Sequence, residues 1–101
     1  MANERDIKRL MIRGTVQGIG FRIWVEREAL DLGLKGWVRN RRDGSVEALL
    51  AGPPPAVAMM VERCWKGPRL ARVRSIDVED AMPLDLGHRR PGEDFSLLAT
   101  E

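Results

Sequence analysis

The sequence predicts an α+β sandwich in which two helices cover one face of an antiparallel sheet. Three observations predict it: two segments carry apolar residues at helical spacing, short apolar runs of strand length lie around them, and an Asp-Gly pair joins two of those runs. Ile7 to Arg13 reads as the first strand, with Ile7, Leu10, Met11 and Ile12 as its apolar content. Gly14-Thr15-Val16-Gln17-Gly18-Ile19-Gly20 follows, and its glycines mark a loop that needs unusual backbone angles or close approach to something. Phe21 to Leu32 reads as a helix, because Phe21, Trp24, Val25, Ala29 and Leu32 fall on one face of a 3.6-residue period. Gly33 then serves as a left-handed cap.

Trp37 to Arg41 reads as the next strand, and Asp43-Gly44 signals a hairpin to a partner running from about Ser45 to Ala51. The register stays open here, since a two-residue and a three-residue loop turn opposite faces inward. Pro53-Pro54-Pro55 opens a second helix, where proline suits the first turn, with Val57, Met60, Val61, Cys64 and Trp65 as its apolar stripe. Gly67-Pro68 stops it. Ala71 to Glu79 is a fourth strand. Val73 followed by Ile76 and Val78 breaks alternation by one residue, which predicts a bulge near Arg74-Ser75. Asp80 to Asp94 reads as an irregular loop, and Phe95 to Ala99 as a short last strand. The order β-α-β-β-α-β plus a terminal strand is that of a ferredoxin-like split β-α-β domain. One domain is expected over residues 1–101, with a flexible start at about residues 1–6.

Composition bounds the function. Hydrophobic residues make up 44% and charged residues 32%, ordinary values for a folded soluble chain. The net charge of +2 is too small to argue for nucleic-acid binding. Cys64 is the only cysteine, so no disulfide forms within the chain, and a lone thiol builds no thiolate metal site. No signal-peptide segment opens the chain and no apolar stretch is of membrane-spanning length, so a cytoplasmic protein is expected. His88, the one histidine, lies in the Pro/Gly loop and reads as solvated. Asp77, Glu79 and Asp80 read as a solvated strand end. No metal and no cofactor is expected.

Two segments carry candidate chemistry. Glycines in the Gly14 to Arg22 segment allow successive N–H groups to point inward as an anion nest, and the helix that follows adds the positive end of its dipole. Arg22 lies in the first turn of that helix, where a cation is electrostatically misplaced unless an anion is held between it and the loop. The loop is not a Walker loop, because no Lys-Ser/Thr follows the glycines. Nor is it a dinucleotide fingerprint, because Gly18-Ile19-Gly20 lacks the third glycine. The second candidate is Asn40, a residue type depleted in strands, standing among β-formers before a turn that has its own Asp-Gly.

Together the two segments resemble the acylphosphatase family. Gly14-Thr15-Val16-Gln17-Gly18-Ile19-Gly20-Phe21-Arg22 is similar to that family's first signature, with Ile19 where Val is usual. Gly36-Trp37-Val38-Arg39-Asn40, followed by Gly44, Val46 and Gly52, is similar to its second. The resemblance covers about residues 7 to 79 well and resumes at Phe95-Ser96-Leu97. It implies a hydrolase that splits the carboxyl–phosphate bond of acyl phosphates. It also implies a phosphate cradle from Val16, Gln17, Gly18, Ile19, Gly20 and Phe21, with Arg22 binding the phosphate and Asn40 orienting water. The expected partners are a small acyl phosphate and inorganic phosphate, with no nucleic acid and no membrane, and a monomer is expected.

Two other readings compete. An RNA-binding module can share this element order, but it wants aromatics on the open sheet face, where only Trp37 is available. The arginines at 39, 41, 42, 69, 72 and 74 then read as a solvated rim. A phosphate-binding domain of a larger maturation enzyme is the other reading, and a single-domain chain that keeps both Arg22 and Asn40 argues against it.

Overall fold

The computed structural model describes residues 5–101. The chain runs β1 (Asp6–Thr15), α1 (Phe21–Asp31), β2 (Lys35–Asn40), β3 (Val46–Gly52), α2 (Pro54–Lys66), β4 (Arg72–Asp80), a 3-10 turn (Pro83–His88) and β5 (Phe95–Leu97). One sheet holds the strands in the order β4-β1-β3-β2-β5. Its first three pairings are antiparallel, but β5 lies parallel to β2, so the sheet is mixed. The reason is the connection. The chain leaves β4, which runs opposite to β1 and β2, reverses once more as it crosses to the other edge, and so arrives beside β2 running in the same direction. Of the stretch expected to be flexible, residues 1–4 lie outside the described residues, whereas Asp6 already belongs to β1 and stands opposite Gly52.

The hairpin register settles which face each residue of β2 presents. Asn40 pairs with Val46, leaving Arg42, Asp43 and Gly44 as a three-residue loop closed by the Arg41 N–H donating to Ser45 O at 2.8 Å. Gly44 takes φ 94°, the left-handed position such a loop requires. The Asp43 carboxylate accepts from the Ser45 hydroxyl at 2.6 Å and from its N–H at 2.9 Å. These bonds, with Arg13 and Arg41 nearby, hold the Asp43 carboxyl below its ordinary pKa. Across the sheet, Asn40, Val46, Ile12 and Ile76 form one row, and Val38, Ala48, Leu10 and Val78 form the next. Val46, Ile12, Val38, Ala48 and Leu10 are fully buried. They pack with Phe21, Val25 and Ala29 of α1 and Val57, Met60 and Cys64 of α2 in one core. Asn40 therefore shares the helix-covered face.

The predicted bulge is present: the β1–β4 register shifts between Arg13, opposite Ser75, and Gly14, opposite Val73, so Arg74 is the extra residue. Acidic residues at the end of β4 face basic ones on β1, with Asp77 bonded to Arg13, Glu79 to Arg9 and Asp80 to Lys8. Exposed pairs of this kind contribute little, about 0–1 kcal/mol each. Trp65 departs from the expected stripe and is exposed, because it stands at the margin of the arc that Val57, Met60 and Cys64 bury.

The far face of the sheet is not bare. Glu47, on the central strand, is buried between Arg39 (2.8 Å), Arg9 (3.1 Å) and Arg41 (3.4 Å). A carboxylate taken out of water needs such partners. The 3-10 turn, in the stretch expected to be irregular, lies over the same face. Trp37 donates its indole N–H to Asp85 O at 2.8 Å, His88 meets the ring edge-on, and Arg39 stacks over it at 4.9 Å. Trp37 keeps only 2% of its surface exposed, which removes it as a platform for stacking a base.

Candidate active site

Val16, Gln17, Gly18, Gly20, Phe21, Arg22, Ile23 and Asn40 line one cavity of about 250 Å³. Two segments remote in sequence meet there: the loop that joins β1 to α1, and the last residue of β2. Of the residues predicted for the site, Ile19 alone does not line this cavity. Its side chain instead faces a separate shallow groove with Pro68, Arg69 and Leu70. Ile23 was not foreseen, since one exposed apolar residue in a helix carries no signal by itself.

The loop is a run of unsatisfied donors. Gly18 and Gly20 take φ 77° and 81°, conformations that side-chain-bearing residues rarely adopt, and their alternation with ordinary residues is what makes a nest. Among the described residues, the N–H groups of Gln17, Gly18, Ile19 and Gly20 find no main-chain or side-chain acceptor. Gly20 is also the N-cap of α1, and with no side chain it leaves the first-turn amides uncapped. The first turn of α1 contains no acidic residue. A stability-optimised helix would have an acid there; this one has Arg22, an arrangement whose charge an anion bound from outside would balance.

Three contacts fix the arrangement. The Gln17 carboxamide nitrogen donates to Arg41 O and to Ser45 O, both at 2.8 Å. These are the two carbonyls that flank the β2–β3 loop, so the glycine loop is tied to the hairpin that carries Asn40. The Arg22 guanidinium donates to Leu98 O at 3.1 Å. The chain after β5 continues beside β2, where the Leu98 N–H donates to Val38 O and the Glu101 N–H to Asn40 O. It thereby holds Arg22 on one side and the Asn40 backbone on the other.

Gln17 thus serves as a brace, and its removal is testable. The two carbonyls keep their main-chain donors, Gly44 N–H and Arg41 N–H, so nothing is left buried and unpaired. Gln17→Ala is expected to cost about 1–2 kcal/mol in urea unfolding, the net worth of two hydrogen bonds. Turnover is expected to fall by up to about 10²-fold, because small misplacements of positioned groups have that effect. A kcat that follows only the folded fraction would show that the brace does not position the loop.

Cys64 plays no part in the chemistry. It is buried in α2, and desolvation pushes its thiol up to about 12, too high to supply a thiolate at neutral pH.

A split β-α-β sandwich with a donor-rich glycine loop heading its first helix defines a class of small ferredoxin-like α+β domain. The model of the acylphosphatase family matches residues 8–91. A curated acylphosphatase from Bradyrhizobium diazoefficiens is 57% identical over 96 residues, covering 95% of this chain and 97% of that protein. The crystal structure of the acylphosphatase from Bacillus subtilis superposes with a TM-score of 0.79 at 35% identity, covering 94% of this chain and 99% of that one. The acylphosphatase structure from Coxiella burnetii gives 0.82 at 28% identity, covering 97% and 100%. The chain belongs to the acylphosphatase family.

Proposed function

We propose that this chain hydrolyses acyl phosphates to a carboxylate and inorganic phosphate, with Arg22 and Asn40 as its catalytic residues and the Val16–Phe21 loop as its phosphate cradle. The observation that carries the reading is the meeting of Arg22, Asn40 and the unsatisfied loop amides in one cavity. The chemistry asks for little more. The leaving group is a carboxylate whose conjugate acid has a pKa of about 4, so it departs at pH 7 without a general acid. Phosphoryl transfer passes through a loose transition state, so the attacking water needs orientation more than deprotonation. A neutral carboxamide such as that of Asn40 is suited to that task. Arg22 offers its fork to two phosphoryl oxygens, and the loop amides present fixed dipoles to the charge as it shifts.

The family membership and the cavity both support this assignment, and the covered state of Trp37 argues against the RNA-binding reading. We further propose a single-domain monomer acting in the cytoplasm. No helix among the described residues is long and apolar enough to cross a membrane. The deciding experiment is hydrolysis of benzoyl phosphate by the purified chain after dialysis against a chelator. Steady hydrolysis is expected, with inorganic phosphate as a competitive inhibitor. Absence of hydrolysis, or hydrolysis that returns only with added metal, would overturn the proposal.

A further inference from the structure

Ile23 is a large apolar side chain that the core does not use. It stands in the first turn of α1, 52% exposed, yet it lines the same cavity as Arg22 and Asn40. The phosphate cradle, the guanidinium and the carboxamide leave it without a role. Leu30, on the same helix, is exposed to a similar degree but does not line this cavity, so solvent exposure alone does not account for the placement of Ile23.

The cavity has room beyond the phosphate. Its volume of about 250 Å³ corresponds to several waters, each with a share of about 30 Å³ of the liquid. A phosphate group has only five heavy atoms. The lining residues also divide by depth. Val16 and Phe21 are buried, Arg22 and Asn40 are half-buried, and Gly18, Gly20 and Ile23 are exposed at the mouth. In-line displacement sets the attacking water and the leaving oxygen on opposite sides of phosphorus. With the water at Asn40, on the sheet, the leaving carboxylate and its organic group are directed away from the sheet, toward the side where Ile23 is exposed. The two glycines at the mouth offer no side chain there, and Ile23 does.

We propose that Ile23 seats the organic group of the substrate and makes the chain select acyl phosphates with an apolar acyl group over acetyl phosphate. The proposal rests on the reading of this cavity as an acyl phosphate site. The chemistry at phosphorus is unchanged: water forms the new P–O bond, the acyl C–O–P linkage breaks at its P–O bond, the electron pair leaves with the carboxylate, and the water's protons stay with the inorganic phosphate or pass to solvent. Ile23 acts on the remote part of the substrate by excluding water from it.

The test compares kcat/KM for benzoyl phosphate and acetyl phosphate in the parent, in Ile23→Ser and in Ile23→Leu, with the inhibition constant of inorganic phosphate measured in each. A partly open apolar contact is worth less than a closed pocket, so Ile23→Ser is expected to lower the benzoyl-to-acetyl ratio by about three- to tenfold. Ile23→Leu, equal in apolar volume, is expected to hold the ratio within about twofold. Phosphate inhibition is expected to stay where it was in both. An unchanged ratio in Ile23→Ser overturns the proposal. Equal loss on both substrates with weakened phosphate inhibition also overturns it, because the effect would then lie in the cradle. A parent protein that hydrolyses neither substrate overturns the underlying reading of the cavity, and this proposal with it.

Discussion

Arg22→Ala is expected to weaken inhibition by inorganic phosphate about tenfold to a hundredfold and to lower kcat by about 10²–10³-fold or more, measured on benzoyl phosphate. The first effect follows from losing charge-assisted hydrogen bonds, worth about 1.5–3 kcal/mol each. The second follows from losing a preorganised donor at the point where charge shifts. Stability gives the contrasting readout. Arg22 sits where the dipole of α1 disfavours a cation, by about 0.3–1 kcal/mol, and among the described residues its guanidinium donates to Leu98 O. Removing it relieves one term and loses the other, so urea unfolding is expected to shift by less than about 1 kcal/mol. Arg22→Lys is expected to recover only part of the activity, because a point charge does not reproduce a planar fork. An Arg22→Ala variant that binds phosphate as the parent does would remove Arg22 from the site.

Asn40→Ala is expected to separate binding from turnover. Phosphate inhibition should stay within about twofold, while kcat falls by about 10²-fold, the scale set by losing one preorganised polar group. The separation arises because the cradle is built by the loop and by α1, whereas Asn40 approaches from the sheet beneath. Its backbone is held independently, by pairing with Val46 and by the Glu101 N–H, so the strand should keep its place when the side chain is shortened. Undiminished turnover by Asn40→Ala would mean that water is oriented by something else. Loss of phosphate affinity in the same variant would move Asn40 into the cradle.

Much of this molecule could be read before its coordinates were known, and what could be read was local. The helices declared themselves by the spacing of Phe21, Val25 and Ala29 and of Val57, Met60 and Cys64, which the core then buries. The bulge at Arg74 was visible because one extra residue breaks a two-residue alternation. The glycine loop was legible because a broken dipole rule at Arg22 sits next to it. What could not be read depends on segments far apart in the chain. The facing of Asn40 hinged on whether Gly44 is the second or the third loop residue, a question of backbone angle rather than residue type. The burial of Trp37 depends on a turn 48 residues downstream. The parallel arrival of β5 depends on which edge it reaches. Ile19 and Ile23 look equally apolar in the sequence, yet one turns to an outer groove and the other to the cavity, because only the second is carried by the helix. The roles of Gln17 and of Leu98 O are contacts to main-chain atoms, which no residue pattern announces.

The offset at Arg74 has a consequence for the molecule in a crowded solution. β4 is the outer strand of the sheet on its side, and its free rim offers main-chain donors and acceptors that another chain could copy. Arg72, Arg74, Asp77, Glu79 and Asp80 are all exposed along it. A second molecule docking there would have to step over the kink and displace water from charges of both signs. A kinked edge lined by charge is a poorer template for adding a strand than a flat, apolar one.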